Sequence, residues 1–233
     1  MSATTSEGRV NITRWIIVTG LITLAITIIR LVGELQHWNS ALFNTSAGGG
    51  GALVGIVWLV PILGIVFALK LNAAGLAPKK IWPVFLFVLI ALVINFVMFG
   101  VASALKMEPG RPAFQLIASL GGIISIVIMR KPWPALFKTL LAYGYAARIP
   151  VAIIMLFAIK GNWGTHYDVP PTADFPAMNW LAKWFWIGAI PQLVDWIAFT
   201  VIVGSLFGAI ALALTKLIHR TRQEEDQKAA AVS

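Results

Sequence analysis

Six stretches of this chain are apolar for as long as a helix needs to cross a bilayer, and little is left outside them. They run over 15–33, 52–71, 81–105, 113–129, 136–159 and 186–217. A hydrocarbon core about 30 Å thick takes roughly 20 helical residues to cross. Charged residues make up 12% of the chain, where a soluble domain carries about 25%. A soluble globule is therefore excluded. The predicted fold is all-α, a polytopic membrane helix bundle with six transmembrane helices over 15–218. A cytoplasmic tail precedes it at 1–14, and a polar cytoplasmic tail at 219–233 is expected to fray into water. The first run follows Arg9 and Arg14, as in a secretory signal. It ends in Arg30, Glu34 and His37 with no small-residue cleavage pattern, so it reads as a retained span.

The fourth run is the shortest, and charge tests whether it spans. With the N-terminus inside, the inner side holds Arg9, Arg14, Lys70, Lys79, Lys80, Arg130, Lys131, Lys138, Lys216, Arg220, Arg222 and Lys228. The outer side holds Arg30, Lys106, Arg111, Lys160 and Lys183, and Arg148 lies within a span. That is 12 inside, 5 outside and 1 buried, which sums to the 18 basic residues of the chain. Without the fourth span, everything after it flips, giving 7 inside and 10 outside. The excess of cytoplasmic Lys and Arg found in membrane proteins thus favours six spans with both termini inside, in the inner or plasma membrane. Tryptophans fall at the same boundaries: Trp15, Trp82 and Trp133 on the inner side, Trp38, Trp163, Trp180, Trp184 and Trp186 on the outer. Trp58 and Trp196 lie deeper, as packing residues. The sixth run is longer than needed; an interfacial segment at 179–185 and a bend at Pro191 are expected within it.

The net charge of +9 is explained by topology, so membrane lipids are the expected partners and nucleic acid is not. Protein partners or a homo-oligomer stay open. Loop one ends in Gly48, Gly49, Gly50 and Gly51, read as a flexible connector because no phosphate-binding fingerprint follows. The chain has no cysteine, so disulfides and thiolate chemistry are excluded. A partial inverted repeat is also visible. Gly55, Pro61 and Phe67-Ala68-Leu69-Lys70 with Asn72 echo Gly144, Pro150 and Phe157-Ala158-Ile159-Lys160 with Asn162. Inverted three-helix units are common in secondary transporters.

Ionisable residues inside spans cost about 2.5–3.5 kcal/mol each on insertion scales, so they need a reason. Arg148 and Asp195 fall at a similar expected depth, on the order of 15 Å by the helical rise. An ion pair between them is the first expectation, with Gln192 one turn from Asp195 on the same face. Arg30, Glu34 and His37 share a face at the end of the first span. The predicted intramembrane polar cluster is therefore Arg148, Asp195, Gln192, Arg30 and Glu34. A second, competing set could hold a metal at the outer face: Glu34, His37, His166 and Asp168. Its plainer reading is an Arg30–Glu34 pair with histidines at the wet interface. Asn95, Ser119 and Ser125 read as interhelical hydrogen-bonders. No catalytic residues and no cofactor are expected.

The run Leu136-Phe137-Lys138-Thr139-Leu140-Leu141, with Tyr143, Tyr145-Ala146-Ala147 and Pro150, resembles a signature stretch of the Yip1-like membrane proteins. That resemblance implies a cytoplasmic N-terminus, a bundle of about five helices, a non-enzymatic role and no carried-over catalytic residues. The chain departs from it in span count, in the long loop around His166, and in placing Arg148 inside the stretch. The leading functional expectation is a non-enzymatic multi-pass protein with a scaffolding, assembly or lipid-organising role. A small-molecule or ion transporter using an Arg148–Asp195 site is the alternative. A metal-dependent membrane hydrolase at the outer face is the third.

Overall fold

The computed structural model describes residues 11–49, 52–173 and 175–232. Arg9, with the rest of residues 1–10, and Gly50 and Gly51 of the glycine run lie outside the described residues. Among the described residues seven α-helices form in chain order: α1 (Ile12–Leu35), α2 (Leu59–Ala73), α3 (Trp82–Ala104), α4 (Pro112–Met129), α5 (Pro134–Gly161), α6 (Trp180–Trp184) and α7 (Trp196–Val232). Two π turns, Phe185–Ala189 and Pro191–Asp195, carry α6 into α7. Among the described residues there is no strand. Local sequence sets the ends. The Asn11 and Asn179 side chains accept the Arg14 and Ala182 amides at the starts of α1 and α6. Proline opens α3, α4 and α5 where its missing N–H costs nothing. Asn162 closes α5 in the left-handed region, at φ 48°.

The helices alternate in direction. Trp133 donates to the Leu76 carbonyl at 2.9 Å, and Lys216 donates to those of Pro78 and Lys79 at 3.1 and 3.2 Å. These bonds gather the α2–α3 and α4–α5 turns and late α7 at one end of the bundle. That end carries the basic residues of the turns. At the other end lie the two long loops, loop one (36–58) and loop five (162–179). The chain is a polytopic helical membrane protein. Among the described residues five helical segments are long and apolar enough to cross a bilayer, and their outward faces are apolar. Phe96 is 77% exposed, Leu21 59% and Val97 55%, a continuous surface that water would not tolerate at this size.

Four expectations change. The second span is not helical over 52–71: residues 52–58 run as turns and α2 starts at Leu59 with 15 residues, about 22 Å long. Pro61 is its third residue, inside the first turn, where N–H groups have no intrahelical acceptor. Pro191 produces widened π turns on either side of Ile190, which absorb the missing donor while the helix continues. The tail beyond His219 does not fray; α7 continues to Val232 with an exposed Arg220–Glu224 pair at 2.8 Å, one turn apart. Trp58 is half exposed at the start of α2 and is no packing residue. The repeat also loses its footing. Pro150 sits inside α5 and Gly144 packs on Ile197 and Thr200, whereas Gly55 is outside any helix and Pro61 opens one.

The central core joins α2, α5 and α7 around Phe67, Leu136, Leu140, Tyr143, Val201 and Leu212. Glycines set the helix separation here, because without hydrophobic driving force from water, close van der Waals approach holds membrane helices together. A Cβ on Gly64 would lie 2.7 Å from Gly204 Cα, and one on Gly208 would lie 2.9 Å from Ala68 Cβ. Asn95 Nδ2 donates to Ser125 Oγ at 2.8 Å and ties α3 to α4 as expected. Gly64→Val is expected to lower stability by about 1–3 kcal/mol or more through overpacking, read as a drop in melting temperature in detergent. Gly100→Val, with nothing within 4 Å of its added Cβ, serves as the control. Equal melting temperatures for the two variants would refute the α2–α7 seam.

Candidate functional site

Helix α1 turns a polar stripe inward: Thr19, Thr23, Thr27, Arg30 and Glu34 are buried while its apolar face points out. Each threonine hydroxyl satisfies itself on a carbonyl one turn back, at 2.8–2.9 Å. Thr23 also meets Tyr143 Oη of α5 at 3.1 Å. Arg30, at the loop end of the stripe, uses its whole guanidinium fork. Nε donates to Glu34 Oε1 at 2.8 Å, Nη1 to the Val54 carbonyl at 3.0 Å, and Nη2 to those of Asn44 and Gly49 at 3.2 and 3.0 Å. Three carbonyls of the non-helical backbone before α2 are thereby satisfied by a cation, as irregular backbone near membrane depth requires.

Glu34 is 1% exposed and receives loop five as well. The His166 amide donates to Oε2 at 2.8 Å and the ring Nδ1 lies 2.5 Å from Oε1. A carboxylate can only accept, so Nδ1 carries the proton. Burial pushes the His166 pKa below the ordinary histidine value; the Glu34 hydrogen bond opposes this, and the Arg30 cation adds to the lowering. Tyr167 follows with its ring tilted 43° against that of His166, centroids 3.8 Å apart, and its hydroxyl donating to the Thr27 carbonyl at 3.3 Å. Burial pushes the Tyr167 phenol upward.

The expected Arg30–Glu34 pair therefore forms, with His166 added. The four-residue metal set does not assemble. Asp168 spends both oxygens on the local turn, accepting from the amides of Gly164 and Thr165 and from Thr165 Oγ1 at 2.7–3.0 Å. His37 lies exposed past the end of α1 at φ 54°. Among the described residues no three His, Asp or Glu side chains gather as metal ligands would.

The Arg148–Asp195 ion pair does not form either. Arg148 is 4% exposed. Its only hydrogen bond among the described residues runs from Nη1 to Gln192 Oε1 at 3.1 Å, and the Trp196 ring lies under its guanidinium at 4.2 Å. Asp195 turns instead to α4. Ser119 Oγ donates to Oδ1 at 2.8 Å and Gln115 Nε2 donates to Oδ2. The reason is rotational: within one turn, the helix sends Gln192 toward α5 and Asp195 toward α4. Gln115 was not foreseen. The sequence signal was available, since Gln115 and Ser119 are one turn apart on a helix without any charge. The threonine stripe of α1, at intervals of four, was legible in the same way.

Between these two clusters is a cavity of about 230 Å³. Arg30, Arg148, Gln115, Gln192, His166 and Tyr167 supply its polar lining. Ile26, Val151, Met155, Trp186 and Trp196 supply apolar wall. Loop five covers it, with Pro171 within 3.3 Å of where a Cβ on Gly110 would sit. No family model, curated protein or solved structure matches the chain.

Two outcomes follow from the buried latch. Glu34→Gln leaves Arg30 without its counter-charge and should cost about 3–5 kcal/mol, seen as a lower melting temperature and as new protease cleavage in loop five. For His166 the unfolded ring accepts a proton near pH 6.5, which the folded ring resists. Stability is then fully present above that pH and declines as pH falls below it. His166→Gln should flatten that part of the profile; an unchanged acid slope would show that His166 is not its source.

Proposed function

We propose that this protein binds, and does not chemically transform, a small monoanionic amphiphile in the cavity beside Arg148. The observation that carries the reading is a buried guanidinium with no carboxylate partner among the described residues. Burying an unpaired cation in a membrane domain is costly. The Trp196 face offsets part of that cost, about 2 kcal/mol for a desolvated cation–π contact. The rest of the fork is open, and a planar fork suits two acceptor oxygens of a carboxylate, sulfonate or phosphodiester.

Charge favours a single negative group. Arg30 is neutralised by Glu34 and also donates to three loop-one carbonyls, so among the described residues Arg148 is the cation of the lining without a bonded carboxylate. The volume is below the roughly 300–1,000 Å³ of pockets that take drug-sized ligands. A compact molecule, or one end of a larger one, suits it. By the charge count the loop end faces outward and the chain crosses the inner or plasma membrane six times, with α2 and the turns before it completing the second crossing.

Hexanesulfonate is a suitable probe, with hexanol as its neutral counterpart. In phosphatidylcholine nanodiscs, hexanesulfonate should raise the melting temperature and give a calorimetric binding isotherm, while hexanol should do neither. At 100 times the dissociation constant the stabilisation reaches about 2.7 kcal/mol. Arg148→Gln should abolish it. Phosphatidylglycerol in the disc should compete if the natural anion is a lipid headgroup and leave binding unchanged if it is a free acid. Equal responses to hexanol, or binding that survives in Arg148→Gln, would refute the reading. The topology is tested separately, since a chain without cysteine accepts single reporters. Asn162→Cys should react with an impermeant maleimide in intact cells, and Lys79→Cys only after permeabilisation.

A further inference from the structure

We infer that filling the Arg148 cavity with an anion is coupled to uptake of a proton by Asp195, with Gln115 and the Pro191–Asp195 π turn as the physical link. The inference rests on the anion reading of the cavity. It starts from an unusual division of charge. Arg148 and Asp195 are both buried or half-buried in the bundle, both without an ion-pair partner among the described residues, and yet not bonded to each other. Each charge is held by neutral partners alone. An anion seated on Arg148 brings a further negative charge to the turn that carries Asp195, and a nearby like charge favours the protonated carboxyl.

The contacts supply a second route for the same coupling. Gln115 Nε2 serves both Ser119 Oγ, at 3.2 Å, and Asp195 Oδ2, while its side chain also lines the cavity. An anion that accepts from this amide withdraws one of the two donors that hold the Asp195 charge. On the other side, Gln192 and Asp195 share one π turn, and Trp196 follows directly with its ring on Arg148. Any shift of Arg148 toward a ligand is therefore felt at the turn that carries Asp195.

Among the described residues no other charged group is bonded to that carboxylate. Helices α3 and α4 contain no ionisable residue over Trp82–Ala104 and Pro112–Met129. Arg111, just before α4, is paired with Glu108 at 3.0 Å. Helix α5 presents Arg148, held by Gln192 and Trp196. On α7 itself the first charged residue after Asp195 is Lys216, at the basic end. The remaining ionisable groups of the cavity are Arg30, which pairs with Glu34, and His166 and Tyr167, which bond to Glu34 and to the Thr27 carbonyl. His166 is the rival acceptor for a proton.

Hexanesulfonate is ionised throughout the working range, so any proton taken up on binding goes to the protein. Calorimetry of the wild type in two buffers of different ionisation enthalpy, between pH 6 and 8.5, should show uptake approaching one proton per bound anion. Affinity should fall with rising pH, at most tenfold per unit. Asp195→Asn should bind without uptake, show a flat pH profile, and bind more tightly than wild type at pH 8.5. The wild-type proton count stands on its own if the variant does not fold. Binding without uptake in the wild type overturns the coupling while sparing the anion reading. Uptake that persists in Asp195→Asn and disappears in His166→Gln also overturns it, moving the proton to His166. Failure of hexanesulfonate to bind the wild type at all overturns the anion reading and the coupling with it.

Discussion

The loop end of this bundle depends on Arg30. One guanidinium binds three backbone carbonyls of loop one and the Glu34 carboxylate, and Glu34 in turn holds the amide and ring of His166. Without it, the Val54 carbonyl in the non-helical stretch before α2, and those of Asn44 and Gly49 in loop one, would lose their partner, and an unsatisfied carbonyl near the bilayer costs several kcal/mol. The same contacts place loop five over the cavity. A buried polar network of this kind is stable only when every member is satisfied, and here its members account for one another.

The second polar system differs in kind. Arg148 and Asp195 have opposite charges and a shared neighbourhood, and the fold keeps them apart by giving each a neutral partner: Gln192 with Trp196 for the cation, Gln115 with Ser119 for the carboxylate. A direct pair would be quenched and closed. On the proposed reading, neutral partners leave both groups available to respond to a ligand or a proton. The functional reading therefore rests on the contrast between a saturated arginine and an unsaturated one.

Several of these features were readable from the chain. Four of the six apolar runs gave their helices to within three residues, since length and absence of charge leave a backbone in lipid no other regular form, while α2 starts seven residues after its run does and α7 continues to Val232. The i, i+4 spacing gave the Arg30–Glu34 pair, which is local to one helix. Asn95 and Ser125 were legible as hydrogen-bonders for the same reason: a polar group in an apolar helix seeks a neighbour. The Arg148–Asp195 pairing misled because depth alone does not fix azimuth. Two residues at one level on adjacent helices meet only if both face the shared seam, and the π turn rotates Asp195 toward α4.

The sequence by itself determined the solvent of this protein, its helices and the identity of its costly residues, because burial of unpaired polar groups is penalised whatever the tertiary arrangement. Tertiary structure decided which of them meet. It brought His166 to Glu34 across 132 positions and Gln115 to Asp195 across 80. It left His37 at the surface and turned Asp168 onto its own loop. It also opened a cavity between the clusters. Those outcomes depend on helix rotation and on loops folding back over the bundle, and neither is encoded in the spacing of residues along a single helix.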